Sequence, residues 1–417
     1  MTKVMKVVLP LIGVSTLYAA FYFAYINGTD KLGWQFIESG KLPGRSDPLR
    51  TVYTEIPAID RLLTVLTVFF WPMADGNHPT LTIHSVGFSG SFCSAWILLT
   101  LEAWRRGNAW KIIALYVHPL WPMRRKTRKR GKSGMLTRNL NSNSPVIFGF
   151  LAQTLTFGFT VPVYAGLQLI FSATAAKPNA ENIRVPRAVL NFIPFAFAIG
   201  YLVPSLLMVA PLNETITPDV KQIIIAIWQP WPAYVSLLTT FASLFFSPFV
   251  SNDNNVEGGR ATLSSLRKVY AFAFGNAVVT HQYSVILPLA TLLEPRFFQE
   301  KFLTALHPAT VFATPLPWAS PTLQVPDFGT GVHYFLSWDV ICGTTGALLW
   351  ALTLHRNAHR AILGKAGCLG LLVKVALLTA VAGPVGAAVE LMWERDELVI
   401  HETGGLKPRV SKAKKSS

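Results

Sequence analysis

Apolar residues fall along this chain in long unbroken runs, not in the alternation of a half-buried strand or the narrow stripe of a soluble amphipathic helix. A bilayer core needs about 20 apolar residues per spanning helix. Eight runs approach or exceed that length: residues 5–26, 81–101, 145–171, 188–210, 223–246, 269–292, 333–354 and 368–392. The pattern predicts an all-α polytopic transmembrane helix bundle of about eight spans. A further segment, "IDRLLTVLTVFFWPM" at 59–73, is shorter, opens on an Asp-Arg pair and closes on Trp-Pro. It is expected to lie along the interface or to be re-entrant; if it spans instead, the termini fall on opposite sides. The first run is too long for a secretory signal and shows no small-residue cleavage site, so it is expected to persist as an anchor.

The polar intervals are short, and no internal repeat stands out, so residues 1–417 read as one transmembrane domain. Three connections punctuate it: 27–55, the basic loop 105–144, and 294–332, whose "HPATVFATPLPWASPTLQVPDFG" is too apolar for a free linker and is expected to fold over the bundle mouth as a lid. Prolines inside runs (Pro162, Pro194, Pro204, Pro230, Pro232) each remove a backbone donor. Kinks of this kind are compatible with ordinary packing or with an enclosed cavity.

Composition sharpens the picture. Half of the 417 residues are hydrophobic, only 14% are charged, and mean hydropathy is positive; a globular chain is about one quarter charged. The net charge of +16 is concentrated: eleven Lys and Arg fall between Arg105 and Arg138, including "RRKTRKRGK", and a second group forms the tail at 404–417. Basic residues that flank helix ends mark cytoplasmic loops and meet anionic headgroups, so membrane lipid and not nucleic acid is the expected partner. With eight spans, both termini are expected in the cytosol. The terminal Lys414-Lys415-Ser416-Ser417 looks like a dilysine retrieval signal of the endoplasmic reticulum. The three cysteines, Cys93, Cys342 and Cys368, sit in or beside apolar runs and read as small buried hydrophobes. Of the two sequons, Asn27 would face the lumen close to the membrane and Asn213 the cytosol.

Ionisable groups within spans are costly unless paired or turned toward an internal pocket, so the few present are candidates for chemistry. Asp339 lies inside "HYFLSWDVICGTTGALLWAL", with Phe335, Cys342, Gly343 and Gly346 on its helical face. The small strip either leaves room for a ligand or lets a neighbouring helix approach closely. A carboxyl in apolar surroundings can hold its proton at neutral pH and serve as a general acid. Glu102 ends a span in "LEAWRRGN", where Arg105 and Arg106 offer ordinary ion pairs one turn on and Asn108 closes the motif. Asp75, in "WPMADGNHP", fits a simple turn or, on a re-entrant segment, a carboxylate pointing inward. Trp228, Gln229 and Trp231 surround the Pro230/Pro232 break and could line a pocket for an unsaturated chain or a carbocation, or mark an interface. His281 sits mid-helix, where a hydrogen-bonded core histidine is the more usual role. Phe335 and Trp338 flank Asp339.

The sequence contains no DDxxD-type acidic motif, no Walker loop, no GxGxxG opening a helix, no GxSxG and no HExxH. Neither a metal nor a cofactor is therefore expected, and acid chemistry within lipid is what remains.

The segments "IDRLLTVLTVFFWPMADGNHPTL", "LEAWRRGN", "AIWQPWPAY" and "HYFLSWDVICGTTGALLWAL" together resemble the fungal integral-membrane terpene cyclases of meroterpenoid biosynthesis, the ascofuranone-type cyclases and the membrane proteins of indole-diterpene clusters. The resemblance implies that an acid protonates an epoxide or alkene of a prenylated, farnesyl-aryl precursor, which cyclises without metal. By position it makes Asp339 the leading proton donor, with Glu102 and Asp75 as second or tuning carboxylates. Trp228, Gln229, Trp231, His281, Phe335, Trp338, Arg106 and Asn108 are the expected substrate contacts. It also implies a lipophilic prenylated substrate and other pathway enzymes as partners. A transporter or membrane scaffold for a lipophilic intermediate is the competing reading, and a lipid-modifying transferase lacks its usual motifs.

Overall fold

The computed structural model describes residues 2–108, 146–250, 256–364 and 369–404. Most of the basic loop, Cys368 and nearly all of the basic tail lie outside the described residues. Among the described residues no strand forms; one isolated bridge pairs Lys41 with Pro48. The principal helices are α1 (Thr2–Ile26), α2 (Thr29–Ser39), α3 (Pro57–Ala74), α4 (Pro79–Trp104), α5 (Val146–Leu155), α6 (Phe157–Phe171), α7 (Arg187–Val209), α8 (Pro218–Trp228), α9 (Trp231–Phe246), α10 (Val256–Leu293), α11 (Phe328–Leu363) and α12 (Leu369–Thr403).

Six of these helices, α1, α3, α4, α7, α11 and α12, are long and apolar enough to cross a membrane. The segment at 59–73 belongs to α3, one continuous helix of that length. Two expected spans are each divided in two. The run at 145–171 breaks between α5 and α6 at Thr156, whose φ of 75° is a left-handed value that a β-branched residue rarely adopts. The run at 223–246 breaks between α8 and α9 at Gln229 and Pro230. Starts and stops follow local chemistry: Pro at the first position of α3, α4 and α8, the Thr217 and Asp327 side chains accepting N–H groups of α8 and α11, and left-handed Gly364 ending α11.

Helix α4 forms the centre, with nearly every residue from Phe92 to Trp104 buried, and it packs on α10, α11 and α12. α6 is clamped between α1 and α11. A methyl group added to Gly343 would stand 2.2 Å from Phe157, and one on Gly346 would stand 2.4 Å from Pro162. The small strip beside Asp339 is therefore filled by α6: of its two readings, close helix approach is the one observed. The 294–332 connection folds over the start of α4, where Leu306 and Val311 pack on Ile83 and Thr80 donates to the Ala305 carbonyl at 2.5 Å.

Candidate functional site

A cavity of about 280 Å³ runs along α11 from Phe328 to Asp339. Asp339 lies eleven positions beyond Phe328, about 16 Å of helix at 1.5 Å per residue. The wall between them is aromatic. Phe335 meets Phe21 and Phe69 edge-on at 5.0 and 5.2 Å, Phe70 leans on Trp228 at 5.1 Å, and Phe157 meets Phe92 and Phe88 edge-on at 5.2 and 5.8 Å. α2 closes one end with Thr29, Asp30, Gly33, Trp34 and Ile37, while the α5–α6 break closes the other with Gln153, Thr154 and Thr156.

Asp339 is buried at the second end. The break at Thr156 exposes the start of α6, and the Gly158 N–H donates to Asp339 Oδ1 at 2.5 Å; the Phe157 N–H also bears on the carboxyl. First-turn N–H groups have no partner within their own helix, so Asp339 satisfies an end that the chain break created. Gly158 is required there, since an added methyl would lie 2.7 Å from the Asp339 carbonyl oxygen and 2.9 Å from Oδ1. No cation pairs with Asp339 among the described residues.

The other two carboxylates lie elsewhere. Glu102 is fully buried in an ionic network: Oε1 accepts from Arg105 Nε and Arg395 Nη1, both at 2.7 Å, and Oε2 from Thr174 Oγ1 at 2.8 Å and Gln168 Nε2 at 3.0 Å. Arg105 also donates to Asp396 Oδ2 at 2.7 Å, as does the Tyr270 hydroxyl at 2.6 Å. Two acids and two guanidiniums, all without solvent exposure, balance one another. Asp75 caps the end of α3, accepts the Asn77 N–H at 2.8 Å and faces His78 at 3.4 Å. Neither group lines the cavity.

Of the expected contacts, Trp228 and Phe335 line the cavity with Asp339, and the rest do not. Asn108 belongs to the Glu102 network, and Arg106 pairs with Glu181 on the surface at 3.1 Å. Trp231 fills a buried aromatic cluster with Phe92, Trp96 and Tyr201. Gln229 is buried beside it, its amide without a hydrogen-bond partner. Trp338 turns away to donate to the Pro315 carbonyl at 2.9 Å, and His281 faces the kink of α12 at Gly383. The 294–332 connection contributes nothing before Phe328 to the wall; α2 supplies the covering face.

The CtvD domain matches residues 5–124 and 136–400. The chain belongs to the CtvD-domain family. It is similar to the terpene cyclase ctvD of Aspergillus terreus, 28% identical over 93% of this chain and 97% of that one. It is also similar to the terpene cyclase ascI of Acremonium egyptiacum, 26% identical over 90% and 87%, and to the terpene cyclase penA of Penicillium crustosum, 23% identical over 94% and 96%. No solved structure matches.

In this CtvD-domain chain, the sequence expectations omit Asp30, Trp34, Gln153 and Thr156, all on the cavity wall. Asp30 and Trp34 sit in a polar connection with no spanning pattern. The position of Asp30 just after a sequon, at the start of an 11-residue amphipathic stretch, was the available signal.

Proposed function

We propose that this protein is a membrane-bound terpene cyclase in which Asp339 protonates an epoxide or alkene of a prenylated, farnesyl-aryl meroterpenoid precursor, in fungal secondary metabolism at the endoplasmic reticulum with both termini cytosolic. One observation carries the reading: a buried carboxyl without a cation partner among the described residues lines an aromatic cavity long enough for a linear apolar chain. The proton passes to the epoxide oxygen, the C–O electron pair follows it to form a hydroxyl, and the tertiary carbocation left behind is attacked by the next alkene. Loss of a proton from the last cation returns the count to that of the substrate, so the reaction is an isomerisation. Ring faces stabilise the travelling charge, and the dry wall keeps water from capturing it. The relatives named as terpene cyclases support the same reading.

The test is conversion of an epoxidised farnesyl-aryl precursor by microsomes carrying the full chain, with and without EDTA. A cyclic product of unchanged mass, insensitive to EDTA and lost in Asp339→Asn, is the expected outcome. Substrate returned unchanged by the intact chain would shift the reading to a carrier or scaffold for a lipophilic intermediate.

A further inference from the structure

We infer that the first two turns of α2, through Asp30 and Trp34, bind the hydroxylated ring of the substrate and so decide which end of the molecule reaches Asp339. This rests on the reading of the cavity as a prenyl-aryl site. Asp30, Gly33, Trp34 and Ile37 recur at helical spacing, so one face of α2 forms this end of the wall. The polar choice there is narrow. The Thr29 hydroxyl is committed to Asn27 Oδ1 at 2.6 Å and packs against Gly331. Asp30 is exposed and has no ion-pair partner among the described residues, so its carboxylate is available to accept from a phenol. Trp34, 41% exposed, offers its ring face beside it.

The opposite end is about 16 Å along α11, close to half of the roughly 30 Å hydrocarbon thickness. An amphiphile in a bilayer already keeps its polar head at the interface and its chain end near the midplane, and α11 begins beside α2. The cavity therefore accepts such a molecule in the orientation the membrane imposes, head on Asp30 and tail end at Asp339. Both ends of α2 are left-handed glycines, Gly28 at φ 88° and Gly40 at φ 64°, conformations that let the chain turn sharply into and out of this helix.

The experiment uses two photoreactive farnesyl-phenols in microsomes containing the full chain, one with a diazirine on the ring and one with it at the chain terminus. Mass spectrometry should place the ring label in α2 and the chain label near Thr156 and Asp339; the reverse pattern, or ring labels away from α2, overturns the inference. The parallel readout is affinity for farnesyl-phenol against its O-methyl ether. Intact protein should prefer the phenol about tenfold, the size of one hydrogen bond to a charged group, and Asp30→Ala should erase that preference while keeping affinity for the ether. A preference unchanged in Asp30→Ala also overturns it. Labelling and affinity need no turnover, so they remain decisive if cyclisation itself is not observed.

Discussion

Glu102 and Asp339 are both buried carboxylates in the same bundle, and their surroundings are opposite. Glu102 accepts from two guanidiniums, a hydroxyl and two amides, while Asp339 accepts from the first turn of α6 and otherwise faces a hollow. A carboxylate locked between two arginines is an anion whose proton is unavailable, whatever its depth. One that meets only neutral donors and apolar rings can gain and lose a proton beside a substrate. Burial alone does not make a catalytic acid; the difference lies in whether a fixed cation has claimed the charge.

Removing the charge at each site breaks the comparison most directly. In Asp339→Asn the amide oxygen can still accept from Gly158 and no cation is stranded, so the thermal midpoint of detergent-solubilised protein should stay close to that of the parent. Turnover should nevertheless fall by about 10²–10⁴-fold, the usual contribution of a general acid. Glu102→Gln leaves Arg105 and Arg395 buried with one anion between them, and breaking a buried pair this way costs about 3–5 kcal/mol. Its signature is loss of folded protein at normal growth temperature. If Glu102→Gln were as stable as Asp339→Asn, the contrast would fail.

This contrast explains what was legible in the sequence. Asp339 stood out because a lone carboxylate in a long apolar run needs an account. Glu102 read only as a second or tuning carboxylate with an ordinary ion pair beside it, since Arg105, three residues on, was visible but Arg395 and Asp396 were not; they arrive from nearly 300 residues away, and only the fold brings them in. The helical-bundle class followed from the length of the apolar runs. Of the two divided spans, the one at Pro230 was marked by its prolines, but the other was not: Thr156 is neither glycine nor proline, and nothing in its neighbourhood of the sequence announces a left-handed backbone. That hidden break is what gives Asp339 its donors and the cavity its end. α2 was hidden for the opposite reason, being too short and polar to register beside spans.

A smaller disturbance asks whether Asp339 must also be placed, and not merely present. Gly158→Ala inserts a methyl into space held by the Asp339 backbone and carboxyl, both under 3.0 Å away. Crowding of this kind costs about 1–3 kcal/mol, and a displaced acid loses rate steeply. We expect a roughly ten- to hundredfold fall in kcat, with KM little changed and a modest drop in thermal midpoint. The same change at Gly275, where an added methyl meets no neighbouring atom within 4 Å, is the control and should leave both nearly unaltered. Equal effects at the two positions would mean that the rate reports general loosening of the bundle.

The smallest effect concerns a third arrangement, in which a carboxylate meets a cation that water can still reach. His78, with 28% of its side chain exposed, lies between Asp75 at 3.4 Å and Asp327 at 3.7 Å, joining the end of α3 to the starts of α4 and α11. The neighbouring carboxylates, Asp327 first and then Asp75, raise its pKa to about 9 from the ordinary 6.5, and the same contact holds Asp327 well below the usual carboxylate range. A raised folded-state pKa means that the clasp contributes fully below pH 6.5 and is lost as pH climbs through about 9. The thermal midpoint of the intact protein should therefore decline across that window, and in His78→Gln the decline should flatten while values at the alkaline end coincide. The Glu102 network, built on arginines, should not respond over the same range. An identical decline in His78→Gln would assign the pH dependence to other groups and leave the bundle with only two kinds of buried carboxylate, claimed and unclaimed.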